Sequence, residues 1–188
     1  MKNVLVHTFR VCVLCKLCAC TSIKKLNSNN LIYLNKVVDS MYLIDQNIRY
    51  SAIKLDSAYK VDRKSNGKHL FYNEKKAKLG NRFTNYKKAQ DSILLLRDKI
   101  DASNTKKLIQ LTKKYGFPGM HRLKAKKASA YFIFVHSPQK YHSKIASLIS
   151  SEYELGRISE YEKEYIFWHL KGRNGHPPRL KKDGSILH

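Results

Sequence analysis

The stretch Asp101–Ser137, DASNTKKLIQLTKKYGFPGMHRLKAKKASAYFIFVHS, decides the fold. Leu108, Ile109 and Leu111 recur at helical spacing with Lys106, Lys107, Lys113 and Lys114 around them, the pattern of a helix with one buried stripe. Gly116 ends that helix and Pro118 prevents its resumption. Tyr115-Gly116-Phe117-Pro118 therefore reads as a tight corner whose two aromatics can pack inward. A second helix follows over residues 123–136, with Ala128, Tyr131, Phe132 and Val135 at core spacing and His136 at its end. On the amino-terminal side, Asp101, Ser103 and Asn104 are residue types that cap a new helix, and Ile93 to Leu96 with Ile100 give the apolar face of a preceding one. The expected fold class is mostly α: a single compact helical domain with a helix-corner-helix centre.

Outward from that centre the helical pattern continues. Leu34, Val37, Val38, Met41, Tyr42, Ile44 and Ile48 recur at three and four, and within them Asp45 and Arg49 are four apart and able to pair on one helix face. Residues 50–90 hold many lysines and the Ser65-Asn66-Gly67 turn signal, and read as a basic, partly helical insertion. Tyr59, Phe71, Tyr72, Phe83 and Tyr86 lie among its basic residues. They could serve as stacking platforms for nucleic-acid bases, but anchoring the insertion to the core is the preferred reading. Residues 150–170 read as helix, turn and helix, with Gly156 and Ser159 near the break, Ile158 fixing the turn, and Tyr161, Tyr165, Phe167 and Trp168 as packing residues. The helical domain is thus drawn over residues 36–171, with a polar linker over 21–35 before it and a flexible basic tail over 172–188 after it.

All four cysteines, Cys12, Cys15, Cys18 and Cys20, fall in the first twenty residues, so no disulfide is expected in the domain. Residues 1–20 have a basic start, an apolar middle and the run Leu17-Cys18-Ala19-Cys20, which resembles a lipobox with Cys20 as the acylated mature terminus. His7, Arg10 and Lys16 interrupt its apolar core. The rival is a metal site, because Cys12-x2-Cys15-x2-Cys18 has thiolate-ligand spacing, but its Val, Leu, Lys and Ala spacers suit a membrane-seeking segment better than a metal-wrapping loop. No run approaches the roughly 18 to 20 uncharged apolar residues of a membrane span.

The formal charge is +23 over 188 residues, with Lys+Arg 37 against Asp+Glu 14. That excess points to an anionic partner, a lipid surface or nucleic acid, and is sequence-unspecific. The abundance of Lys, Asn, Ile, Ser and Tyr also fits an AT-rich genome, which would raise Lys but not lower Asp and Glu. No nucleotide-binding glycine loop and no Gly-x-Ser-x-Gly elbow occurs, and no cysteine outside the leader can act as nucleophile, so no cofactor is expected and an enzyme is unsupported. His69, His121, His136, His142, His169 and His176 include no ligand pair at metal-binding spacing. For His136 the default is a histidine bonding a helix-end carbonyl.

Asp45-Gln46 with Arg49, Asp101 with Asn104 and Leu108, the Tyr115-Gly116-Phe117-Pro118 corner, and the apolar helix ending His136-Ser137 occur in an order and at intervals similar to those of a bacterial family known as domain of unknown function 6624. The resemblance covers about residues 40–160. It implies a largely helical fold and export, and carries no activity. The family's downstream Asp-Arg pair and Gln-Tyr-Gly-Thr ending have no counterpart in residues 160–178. The candidate polar site is Asp45, Arg49, Asp101, Asn104 and His136, in which a carboxylate near His136 would orient the imidazole for acid-base work. The function expected is an exported helical binding protein, tethered through lipid on Cys20 and without a metal. A cytoplasmic nucleic-acid-binding protein is the alternative, and a hydrolase using the Asp/His site is third.

Overall fold

Asn27 starts the first helix by accepting from the Asn30 N–H at 2.8 Å, and α1 runs Ser28–Ala58. Its start corrects the expected linker of 21–35 over residues 28–35, and residues 21–25 lie outside the described ones. The capped turn is already helical, and Leu34 is buried in the main core with Leu31 packed against it. The computed structural model describes residues 26–61, 70–123, 129–181 and 186–187. Cys12, Cys15, Cys18, Cys20, the Asn66-Gly67 turn, His69 and Ala128 lie outside the described residues. The order continues with α2 (Tyr72–Leu79), a 3-10 turn, α3 (Phe83–Tyr115), α4 (Met120–Leu123), α5 (Ser129–Val135), a second 3-10 turn, α6 (His142–Glu154) and α7 (Glu160–Leu170). Beyond α7, where the pattern suggests a flexible tail, a two-residue antiparallel ribbon pairs β1 (Arg179–Leu180) with β2 (Ile186–Leu187). The fold is mostly helical, and among the described residues no helix is long and apolar enough to cross a membrane.

Asp101–Asn104 does not cap a new helix. It lies inside α3, one continuous helix of 33 residues and thus about 50 Å. Asp and Asn favour caps because their side chains compete for nearby backbone groups, and here both are drawn instead onto α1. Asn104 Nδ2 donates to the Met41 carbonyl at 3.1 Å and Asp101 accepts from Arg49. Met41 lies beside Asn104, Arg49 beside Asp101 and Asp56 beside Tyr86, so α1 and α3 are antiparallel.

Two apolar clusters form along this pair. The main one joins Leu34, Val38 and Met41 of α1 to Leu108 and Ile109 of α3, and to Phe117, Phe134, Ile145, Ile149 and Ile166. The second, of Val61, Leu79, Phe83 and Tyr86, closes the far end of the α1–α3 pair and explains the insertion: its aromatics pack on one another rather than on the main core. Tyr59 meets Tyr86 edge-on at 5.3 Å and Tyr72 meets Phe83 at 5.2 Å. A polar clamp accompanies them, in which Tyr86 Oη donates to Asp56 at 2.7 Å and Lys75 Nζ bridges both at 2.8 Å. Ile93, Leu94 and Ile100 of the expected apolar face are half-buried, and Leu95 and Leu96 are exposed.

The corner after α3 is closed by two buried glutamates. Gly116 has φ +79° and ψ 163°, an extended positive-φ conformation that favours glycine, and its N–H donates to the Thr112 carbonyl at 2.7 Å. Phe117 is fully buried and its N–H donates to Glu152 at 2.7 Å. Glu162, 0 % exposed, accepts from Met120 N at 3.2 Å and from Ser159 Oγ at 2.8 Å, and it closes a capping box at the start of α7 in which Ser159 N donates to Oε2 at 3.3 Å and Glu162 N donates to Ser159 Oγ at 3.2 Å. A Cβ on Gly119 would stand 2.8 and 2.9 Å from the two Glu162 oxygens. Gly119→Ala is therefore expected to lose about 2 kcal/mol of stability by overpacking a pinned carboxylate, read as a lower urea midpoint with an unchanged slope.

Candidate functional site

Four of the five residues singled out in the sequence meet where α1, α3 and the end of α5 converge. Asp45 projects from α1 and is 1 % exposed, so its charge must be met in place. Arg49 Nη1 approaches it at 2.9 Å, Gln46 Nε2 donates to Oδ2 at 2.8 Å, and His136 Nδ1 stands 3.1 Å from both oxygens. Arg49 Nη2 reaches across to α3 and donates to both Asp101 oxygens at 3.0 Å. Asn104, the fifth residue, is a clamp between α3 and α1 and not part of this chain of contacts. His136 thus bonds a buried carboxylate rather than a helix-end carbonyl. Two other histidines face backbone carbonyls: His142 Nε2 stands 3.1 Å from that of Ser137 and His169 Nδ1 3.0 Å from that of Tyr165.

A carboxylate can only accept, so the nitrogen facing Asp45 carries hydrogen, and Nε2 is left for other partners. His136 lines an open pocket of about 370 Å3 together with Asp98, Asp101, Ala102, Pro138 and Lys140. Asp98 and Lys140 escaped the sequence reading. Asp98 lies one helical turn before Asp101, which is a visible signal, whereas Lys140 comes from the 3-10 turn after His136 and gives none. Among the described residues no group of three or more His, Cys, Asp or Glu is placed to hold a metal ion.

Burial pushes the Asp101 carboxyl above its ordinary value. The Arg49 charge and hydrogen bond oppose that rise, and the nearby Asp45 charge adds to it. Burial likewise pushes the His169 pKa down, against its bond to the Tyr165 carbonyl.

No protein-family model, no curated protein and no solved structure matches this chain.

Two measurements check the network. In an exposed pair Asp45 and Arg49 would contribute only about 0.3 to 0.5 kcal/mol, but with Asp45 buried the relevant scale is the loss of one partner from a buried pair. Arg49→Leu is expected to cost about 3 kcal/mol at neutral pH, and less in mild acid, where protonation relieves Asp101. For Asp101 the folded chain holds the proton more tightly than the unfolded chain. Its contribution is complete below the ordinary value of 3.8 and is lost as pH rises through the raised folded value. Urea melts across that window should show this fall in the parent chain and not in Asp101→Asn.

Proposed function

We propose that this chain is a helical ligand-binding protein whose site is the pocket beside His136, held at the cell envelope by lipid on Cys20. The observation that carries the site is the Asp45–His136 pair. A buried carboxylate fixes the ring and its tautomer, so Nε2 is a directed acceptor for a ligand hydroxyl or acidic N–H. Lys140 and Asp98 at the pocket wall offer one charge of each sign to the rest of the ligand. The resemblance of residues 40–160 to the family known as domain of unknown function 6624 supports export, as does the lipobox-like run ending at Cys20.

A hydrolytic role would rest on the same pair, with His136 taking a proton from water. The pocket lining among the described residues offers no hydroxyl or thiol to His136, so the group it would activate is a water. The nucleic-acid reading keeps one observation, the charge of +23, and requires salt-sensitive retention on DNA or RNA with a slope reporting several phosphates.

A fragment library screened by chemical-shift perturbation is expected to give ligands whose shifts centre on Asp98, His136 and Lys140. His136→Gln keeps a donor for Asp45 and should abolish them at an unchanged melting temperature. Ligands that bind only elsewhere, or that bind this variant equally well, would remove His136 from the site. Labelled palmitate should mark the parent chain and not Cys20→Ala, whereas an unlabelled, unprocessed cytosolic chain would end the envelope reading.

A further inference from the structure

The arginines at the Tyr115–Gly119 corner leave a second cavity, remote in chemistry from the His136 pocket. It measures about 450 Å3 and opens where the carboxyl end of α3 meets the amino end of α1. Lys113, Lys114, Arg122 and Arg157 line it, with Asn27 and Asn30 beside them, and among the described residues no carboxylate does. Glu152 lies behind Arg157, which donates to it through Nε at 2.8 Å and Nη2 at 2.6 Å. That pairing orients Arg157 and neutralises one of the four cations. Among the described residues Arg122 has no such partner. Its Nη1 and Nη2 donate to the carbonyls of Phe117 and Tyr115 at 3.1 and 2.8 Å, which fixes the fork but does not offset its charge and leaves further N–H donors on the guanidinium.

The two arginines meet over Gly116. A Cβ there would collide with Arg122 Nη1 and stand 2.8 Å from Arg157 Cδ and 3.0 Å from its Nε. Burial is the main cause that pushes the Arg122 pKa down. Glu152 opposes that shift and the like charge of Arg157 adds to it, so an anion between the guanidiniums would compensate the desolvated charge and offset the repulsion. Guanidinium forks match tetrahedral oxyanions, and the neighbouring ammonium groups supply the charge a dianion needs. The volume falls within the roughly 300–1,000 Å3 of small-molecule sites, more than a bare oxyanion fills, and Tyr115 and Leu26 give it an apolar wall.

We propose that this cavity binds the phosphate of a phosphomonoester, carried either by a soluble small molecule or by a lipid headgroup. The site stands independently of the His136 pocket, so the failure of either leaves the other intact.

Titration calorimetry of the full chain with glycerol 3-phosphate, with glycerol as the neutral control, tests the soluble source. Flotation with phosphatidylcholine vesicles containing or lacking phosphatidic acid tests the lipid source. Arg122→Gln should weaken binding by about tenfold or more, as expected for losing charge-assisted hydrogen bonds. Because Arg122 also braces the corner, the double variant Lys113→Gln/Lys114→Gln, altered only at exposed positions, provides the second reading and should weaken binding severalfold at an unchanged melting temperature. Heat with glycerol 3-phosphate that is lost in the variants supports a soluble phosphomonoester. Flotation that needs phosphatidic acid and is lost in the same variants supports a lipid headgroup. Absence of binding in both arms, or binding unaffected by the variants, overturns the proposal.

Discussion

The carboxylate of Asp45 is the contact on which the rest of this structure turns. It is sealed from solvent on α1, and the groups that satisfy it come from the same helix through Gln46 and Arg49 and from the end of α5 through His136. Arg49 then carries the connection to Asp101 on α3. Buried charge is tolerated only when its partners are in place, so the seating of α5 against the α1–α3 pair and the aim of His136 are one condition rather than two. What holds the helices together also fixes the imidazole, and no account of the site can separate its chemistry from the packing beneath it.

Acidic residues are few in this chain, Asp+Glu 14 against Lys+Arg 37, and Asp45, Asp101, Glu152 and Glu162 are all spent in the interior. Each meets a group that the backbone path or a neighbouring helix leaves behind: Arg49 and His136 for the aspartates, the Phe117 and Met120 N–H groups for the glutamates. The surface is therefore more one-sided in charge than the composition suggests, and the cavity over Gly116 is a place where that excess is organised by fixed arginines rather than spread over mobile lysines.

Much of the fold was legible because helical spacing survives in the sequence. The Gly116–Pro118 break, the inward Phe117 and the turn at Ile158 follow from residue type and order, whereas the grouping of Asp45, Arg49, Asp101 and His136 was suggested by a family resemblance and not by spacing. The boundary at Asp101 was misread because a capping residue in mid-helix looks the same as one at a start. Only the partner across the interface, Arg49 or the Met41 carbonyl, tells them apart. The exposed Leu95 and Leu96 fit an apolar face by periodicity, and their exposure depends on what the fold brings opposite them. Glu152 and Arg157 gave no pattern, since their roles depend on a corner far away in sequence. The Ser159-x-x-Glu162 capping box, by contrast, was there to be read.

The two apolar clusters along α1 and α3 are joined in series, with the charged layer of Asp45, Arg49 and Asp101 between them. The outer cluster is small, and its hydrogen bonds from Tyr86 and Lys75 lie only partly shielded from water. Free energy of opening is set locally by buried apolar area and protected bonds, and among the described residues the distal end of this helical pair has less of both than the bundle. The long helices are continuous as geometry, but the buried apolar area and shielded bonds that resist opening are gathered on the bundle side of the Asp45 layer rather than around Tyr86.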